Sequence, residues 1–222
     1  MSPQRAGTPA AVPAPADARA LVRDAYDRAS HAYRGDDFPL AGSGYAHWLA
    51  QLAKRVPAGA RVLDLGCGNG VPVTRALAAR HDVTGVDLSP VQIARARALV
   101  PGARFVCADM TAVTFPAASF DAAVAFFSII NVPLAEQPAL LARIAGWLVP
   151  GGVLLAVVGR EAWTGVESGW RGVPGARMYY SHADVATYRR WFAAAGLAVE
   201  AEGVEPRGGR PGYAVLIARR AA

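Results

Sequence analysis

The sequence predicts an α/β fold in which a mostly parallel sheet carries helices on both faces and closes with an antiparallel hairpin strand. Three observations predict it. From residue 61 onward, short apolar runs alternate with helical segments. The first of these runs, Arg61-Val62-Leu63-Asp64-Leu65, passes directly into Gly66-Cys67-Gly68-Asn69-Gly70. The last two runs are joined by a Pro/Gly/Arg turn with no helix to carry the chain back, so one of them runs antiparallel.

The elements follow in order. Residues 1–16, rich in Ala and Pro, predict a disordered tail ahead of a single domain over 17–222. Residues 17–33 place Leu21, Ala25, Tyr26 and Ala29 on one helical face, and 44–55 form a second helix stopped by Pro57-Ala58-Gly59; together 17–56 make an N-terminal helical cap. Strand 61–65 precedes a helix over 71–80. Strand 82–87 precedes a helix over 90–99, with Asp87 or Ser89 as N-cap and Pro90 at the first helical position. Strand 103–109 leads into a loop through Pro116. Strand 120–127 precedes a helix over 135–148, ended by Pro150-Gly151-Gly152. Strand 152–159 is followed by a long irregular stretch, 160–181. A helix over 183–195 stops at Gly196, and strands 197–205 and 213–220 flank the turn 206–212.

Composition narrows the function. The chain has 222 residues and is 53% hydrophobic, enough for a substantial core, yet no apolar run approaches the ~18 residues of a membrane span. The N-terminal residues lack the apolar stretch of a secretory signal, so the expectation is a cytoplasmic protein without a membrane partner. The net charge is +6, but 22 of the 23 basic residues are arginines scattered in runs no longer than a pair. That pattern predicts no nucleic-acid partner. Cys67 and Cys107 have no CxxC spacing and predict neither a metal site nor a disulfide framework.

The glycine turn carries the chemistry. Strand, Gly-x-Gly-x-Gly and helix bring bare backbone against a nucleotide at the C-terminal edge of such a sheet. A Cβ would block the ligand, and the turn needs positive φ. Asp64 precedes the turn. A pyrophosphate at this helix N-terminus would be repelled by it, whereas a ligand carrying an α-ammonium group would be attracted. Asp64 can also orient the turn by hydrogen bonds. Asp87, Asp109-Met110 and Phe126 to Asn131 reach the same edge.

These residues resemble the class I S-adenosylmethionine-dependent methyltransferases of the small-molecule type. VLDLGCGNG (62–70) is similar to the family's first motif, VTGVDLSP (83–90) to its second, residues 105–129 to its third and fourth, and LVPGGVLLAVV (148–158) to its fifth. The resemblance is close over roughly residues 60–160, and the terminal hairpin suits the family's Rossmann-like, seven-stranded sheet. It implies S-adenosyl-L-methionine as cofactor. Gly66, Cys67, Gly68, Asn69 and Gly70 would face the methionyl part, with Asp64 acting toward its ammonium. Asp87, followed by Leu88, would accept the ribose hydroxyls, and Asp109 the adenine amino group, with Met110 against the ring. Phe126 would flank the ligand and Phe127 the core. Tyr33, in a segment similar to the family's N-terminal cap, would lie near the methionyl end.

The acceptor must be read from what remains. Trp163, Trp170, Met178, Tyr179, Tyr180 and His182 lie in the stretch after the fifth strand and suit a pocket wall for an apolar or ring-bearing acceptor, the alternative being that they only anchor a long loop. Alignment does most of the work in displacement from a sulfonium, and a base is needed only if the acceptor must lose a proton. His182 leads the candidate bases because it lies on the presumed lid, followed by His31 and His47. Similar methyltransferases often carry a His after the fourth strand where this chain has Asn131, which can orient an acceptor but not deprotonate it. The expectation is methyl transfer to a small molecule, in secondary metabolism. Its rivals are a nicotinamide-dependent oxidoreductase, for which Val71 stands where G-x-G-x-x-G wants glycine, and a non-methylating S-adenosylmethionine-binding protein.

Overall fold

The computed structural model describes residues 13–207 and 210–222. Seven strands form one sheet: β1 (Arg61–Leu65), β2 (Asp82–Asp87), β3 (Arg104–Cys107), β4 (Phe120–Ala125), β5 (Leu148–Val158), β8 (Leu197–Arg207) and β9 (Arg210–Arg220). Their order across the sheet is β3-β2-β1-β4-β5-β9-β8. The first five are parallel, and β9 is antiparallel to both neighbours.

Alternate residues of each central strand feed opposite faces. Val62, Ala122, Val124, Val153, Leu155, Val157, Val215 and Ile217 pack on one side with Trp48 and Leu52 of α2 (Gly44–Ala53) and Leu77 of α3 (Val73–Ala78). Leu63, Ala123, Ala125, Leu154, Ala156, Val158 and Leu216 pack on the other with α5 (Gln137–Trp147) and α6 (Val185–Ala194). Burial on both faces is why these strands read as continuous apolar runs.

Several helix boundaries depart from expectation. The first helix, α1, spans Pro15–Tyr33, so residues 15 and 16 of the expected tail are helical; residues 1–12 lie outside the described residues. Helix α3 is shorter than 71–80, with Pro72 at its N-cap position and Ala79 at its C-cap. Ser89 caps α4 (Pro90–Leu99), its hydroxyl accepting the Gln92 N–H at 3.0 Å. Residues 134–136 form a 3-10 turn ahead of α5.

The largest correction concerns residues 160–181. They are not irregular: β6 (Trp163–Ser168) and β7 (Arg177–His182) form a separate two-stranded antiparallel hairpin. Helix α1 lays Ala18, Val22, Ala25 and Ala29 against Trp170, Met178, Tyr179 and Tyr180 of this hairpin. Buried Gln137 ties it to the main body: its Nε2 donates to the Ser181 and Val132 carbonyls, each at 2.7 Å, while its Oε1 accepts the Tyr188 hydroxyl at 2.6 Å. Among the described residues no helix is long and apolar enough to cross a membrane.

Candidate active site

Strands β1, β2 and β3 run parallel, so the acids near their C-terminal ends converge on one edge. Asp64 is only 2% exposed and accepts the Thr74 hydroxyl at 2.6 Å. No cation pairs with it among the described residues. Burial, with repulsion from Asp87 and against the pull of Thr74, pushes its carboxyl up to about 7. Asp87 accepts the Gly68 N–H at 2.8 Å with Oδ2 and the Ser89 N–H at 2.9 Å with Oδ1. It thereby braces the glycine turn and starts α4, and each oxygen keeps a lone pair for a ligand. Burial, with repulsion from Asp27, pushes it up to about 6 although these backbone donors pull it down. Asp109 lies two residues beyond β3, not at its end, and accepts the Thr111 N–H at 2.7 Å. Its other oxygen pairs with Arg19 of α1, which also reaches Glu136. The N-terminal helix is thus latched onto the acid expected to meet adenine.

The turn has the conformation its glycines allow. Gly66, Gly68 and Gly70 stand at φ +75°, +57° and +79°. A Cβ on Gly66 would collide with the Ser128 side chain, whose hydroxyl donates to the Leu65 carbonyl at 2.6 Å. A Cβ on Gly68 would meet nothing within 4 Å, so the open space there is available to a ligand. Buried Asn69 accepts the Val71 N–H at 3.3 Å and stiffens the turn. Burial pushes the Cys67 thiol well above its ordinary range, which makes it an inert wall residue.

Three adjoining cavities surround this edge. The first, expected to take the nucleotide and hereafter the nucleotide side, is bounded by Gly66, Gly68, Asp87, Leu88, Asp109 and Met110, with Phe126. A second cavity brings Asp64, Cys67 and Asn69 together with Tyr33 and Arg34. The third, of about 200 Å³, is an aromatic chamber walled by Tyr33, Phe127, Trp170, Tyr180 and Tyr213. Tyr26, Tyr33, Phe127 and Asn131 border both the first and the third. Tyr33 borders all three, its ring stacked on Trp170 with centroids 5.3 Å apart.

The two phenylalanines share both roles that the sequence divides between them. Phe126 borders the nucleotide side and packs into the core, with Tyr45 5.2 Å away. Phe127 packs against the core as expected but also borders both the nucleotide side and the chamber; β4 ends at Ala125, and Phe127 stands at φ +55°. Asn131 borders the same junction, but its amide is committed, donating to the Tyr179 carbonyl at 2.7 Å. His31 and His47 are exposed and border none of the three cavities. His182 ends β7 outside the chamber wall, 5.8 Å from the Tyr213 ring, and its Nδ1–H donates to the Glu161 carbonyl at 2.7 Å.

Sequence reasoning missed Arg34, Arg171 and Arg19. In a chain of 22 arginines no single one stands out; only packing selects them. Arg34 donates to the Tyr45 hydroxyl at 2.7 Å, while its Nε is buried without a partner. An uncompensated carboxylate (Asp64) and an uncompensated guanidinium (Arg34) on one cavity complement the ammonium and carboxylate of an amino-acid end. The residues present therefore fit the cofactor that the motifs imply. Among the described residues no group of three or more His, Cys, Asp or Glu could hold a metal ion.

Residues 62–152 match the methyltransferase domain family. A 2-methyl-6-phytyl-1,4-hydroquinone methyltransferase of Synechocystis is 35% identical over 127 residues, covering 54% of this chain and 39% of that protein. A 27-O-demethylrifamycin SV methyltransferase of Amycolatopsis mediterranei is 34% identical over 139 residues, covering 56% of this chain and 51% of its own. The chain spans between 39% and 57% of the length of such curated relatives. A crystal structure of 1,6-didemethyltoxoflavin-N1-methyltransferase from Burkholderia thailandensis shares the fold over 100% of this chain and 98% of its own, with TM-score 0.74 and 24% identity. With the glycine turn, the acids at the strand ends and the antiparallel last strand pair, the match over residues 62–152 supports a class I S-adenosylmethionine-dependent methyltransferase domain there.

Proposed function

We propose that this chain transfers a methyl group from S-adenosylmethionine to a small, ring-bearing molecule, in the cytoplasm and in secondary metabolism. The observation that carries the reading is the junction of nucleotide side and aromatic chamber at Tyr33 and Phe127. A donor on one side and a planar acceptor on the other would meet there. The chamber's volume of about 200 Å³ exceeds the roughly 150 Å³ of a cavity that accepts benzene, so one or two rings fit. The rifamycin-modifying relative supports the metabolic setting.

When bound, the cofactor supplies a methyl group on a positively charged sulfonium, already activated for displacement. The protein's part is binding and alignment. Gly66 and Gly68 admit ligand atoms close to backbone. Asp87 and Asp109 accept hydrogen bonds from the nucleoside. Asp64 and Arg34 hold the opposite charges of the amino-acid end. The faces of Tyr33 and Phe127 suit positive charge, and α1, latched through Arg19, keeps water out. Asp64, buried under the turn, works against the pyrophosphate that an oxidoreductase would hold there.

A thermal-shift panel tests the donor. S-adenosylhomocysteine is expected to raise the melting temperature and NAD to leave it unchanged; the reverse overturns the reading. Transfer of labelled methyl to a panel of phenolic and heterocyclic acceptors tests the reaction. Cofactor binding without transfer to any of them would favour the non-methylating alternative.

A further inference from the structure

Arg171 occupies a costly position. It lies in the 3-10 turn Trp170–Gly172 of the β6–β7 hairpin at φ +56°, between Gly169 at +65° and Gly172 at +74°. Glycine adopts this conformation without strain, whereas a side chain adopts it against a steric penalty. The Arg171 guanidinium lies 5.2 Å from the Tyr33 ring centroid and 5.5 Å from that of Trp170, so it extends the stacked aromatic wall of the chamber with a flat cation. No carboxylate pairs with it among the described residues, and residues 1–12 and 208–209 contain no Asp or Glu.

Among the described residues Arg34 is the chamber's second cation, and it likewise has no carboxylate partner. The rings of Tyr33, Phe38 and Tyr45 lie 5.0, 4.6 and 4.9 Å from its Cζ. Among the described residues that line the chamber there is no Asp, Glu or His. Burial pushes the Tyr26 and Tyr45 phenols upward, away from the range in which they could act as bases. Among the described residues the chamber therefore holds two positive charges, no negative charge and no base.

We propose that the chamber takes a planar acceptor that is already an anion when it binds (a carboxylate, an acidic ring hydroxyl or an acidic ring nitrogen) and that Arg171 selects for that charge. The proposal rests on the methyl-transfer reading above. The cofactor's own carboxylate neutralises at most one of the two cations, and Arg34, which also borders the cavity of Asp64, is the one it reaches. Arg171 is left to the acceptor. An ionised acceptor also explains the missing base. Its lone pair forms the bond to the methyl carbon, the carbon–sulfur pair goes to sulfur, and its negative charge cancels the sulfonium's positive one. No proton remains to be placed.

Calorimetric titration of the full chain, saturated with S-adenosylhomocysteine, compares 2-naphthoate with its neutral counterpart 2-naphthamide. The expected result is about tenfold tighter binding of the naphthoate to the wild type. Arg171→Gln should bring the two probes within about twofold of each other while S-adenosylhomocysteine affinity stays within about twofold, and Arg171→Lys should retain part of the preference. Equal affinity in the wild type, no binding of either probe, or a preference that survives Arg171→Gln overturns the proposal. Failure of S-adenosylhomocysteine to bind the wild type overturns the methyl-transfer reading and the proposal with it, so the two failures are distinguishable.

Discussion

Replacing Asp87 separates its two duties. Each carboxylate oxygen already accepts a backbone N–H, from Gly68 at 2.8 Å and from Ser89 at 2.9 Å, and each has capacity left for a ribose hydroxyl. Asp87→Ala removes all four acceptor positions. A hydrogen bond to a charged group is worth about 1.5–3 kcal/mol. With loosening of the turn added, the expected loss of S-adenosylhomocysteine affinity is about 2–3 kcal/mol, roughly 30- to 150-fold. The pH dependence gives a second, independent sign. Burial lifts the folded carboxyl to about 6, above the ~3.9 of an unfolded chain. Between these values the folded state binds the proton more tightly, so this group's contribution to stability of the ligand-free protein grows as pH falls from about 6 toward 4. Ligand binding runs the opposite way, because hydroxyls donate to the charged form. Affinity should fall as pH drops through about 6, and Asp64, at about 7, adds a fall of the same sign slightly higher. Calorimetry and thermal melts from about pH 8 to about pH 5.5 on wild type, Asp87→Asn and Asp87→Ala measure both. The asparagine variant should show a flatter profile in each. Affinity of Asp87→Ala within about twofold of wild type, or a wild-type affinity that does not weaken on acidification, would refute the assignment.

Gly66→Ala forces a side chain to φ +75° and displaces Ser128 from the Leu65 carbonyl; the expected strain is about 1–2 kcal/mol, visible as a lowered melting temperature with weakened S-adenosylhomocysteine binding, and wild-type values for both would contradict the turn's geometry. Asn131→Ala leaves the Tyr179 carbonyl buried without its donor, so denaturant titration should show a loss of about 1–3 kcal/mol; no measurable loss would mean the amide does not hold the hairpin. His182→Ala should leave turnover within about threefold of wild type, since the ring lies outside the chamber wall; a drop of about a hundredfold, the size of a lost general base, would show that it acts on the acceptor.

The sheet is legible because both of its faces are buried. Where every second residue of β1, β4, β5 and β9 enters one core and the rest enter the other, the strands stand out as unbroken apolar runs. Strand ends are less legible because single side chains decide them. Asp109 turns the chain after β3 by holding the Thr111 N–H, and Phe127 leaves the extended region after β4. The β6–β7 hairpin is hidden for a different reason. Gly165, Gly169, Pro174 and Gly175 read as loop, and the apolar residues of β7 are matched by α1, far away in sequence. In the site, the acids are readable because a strand ending at the glycine turn fixes where they must be. Arg34 and Arg171 are not, because only tertiary packing against Tyr33 and Trp170 distinguishes them from twenty other arginines.

The two sides of the site therefore differ in origin as well as in charge. Asp64 and Asp87 come from the sheet edge, where register leaves little freedom, and Asp109 follows two residues beyond β3. The cations and most of the aromatic faces come from α1, the residues that follow it, and the hairpin, which lean on one another through Ala25, Ala29, Tyr179 and Tyr180 and are tied to the main body by Arg19, Asn131 and Gln137. A substitution in the hairpin can change the shape or charge of the chamber without moving a strand end. The converse does not hold, because Tyr33 and Phe127 border both compartments and a change in either reaches the donor side as well. Acceptor specificity can therefore vary through Arg171 and Trp170 with donor binding preserved, whereas variation at Tyr33 or Phe127 must perturb the two together.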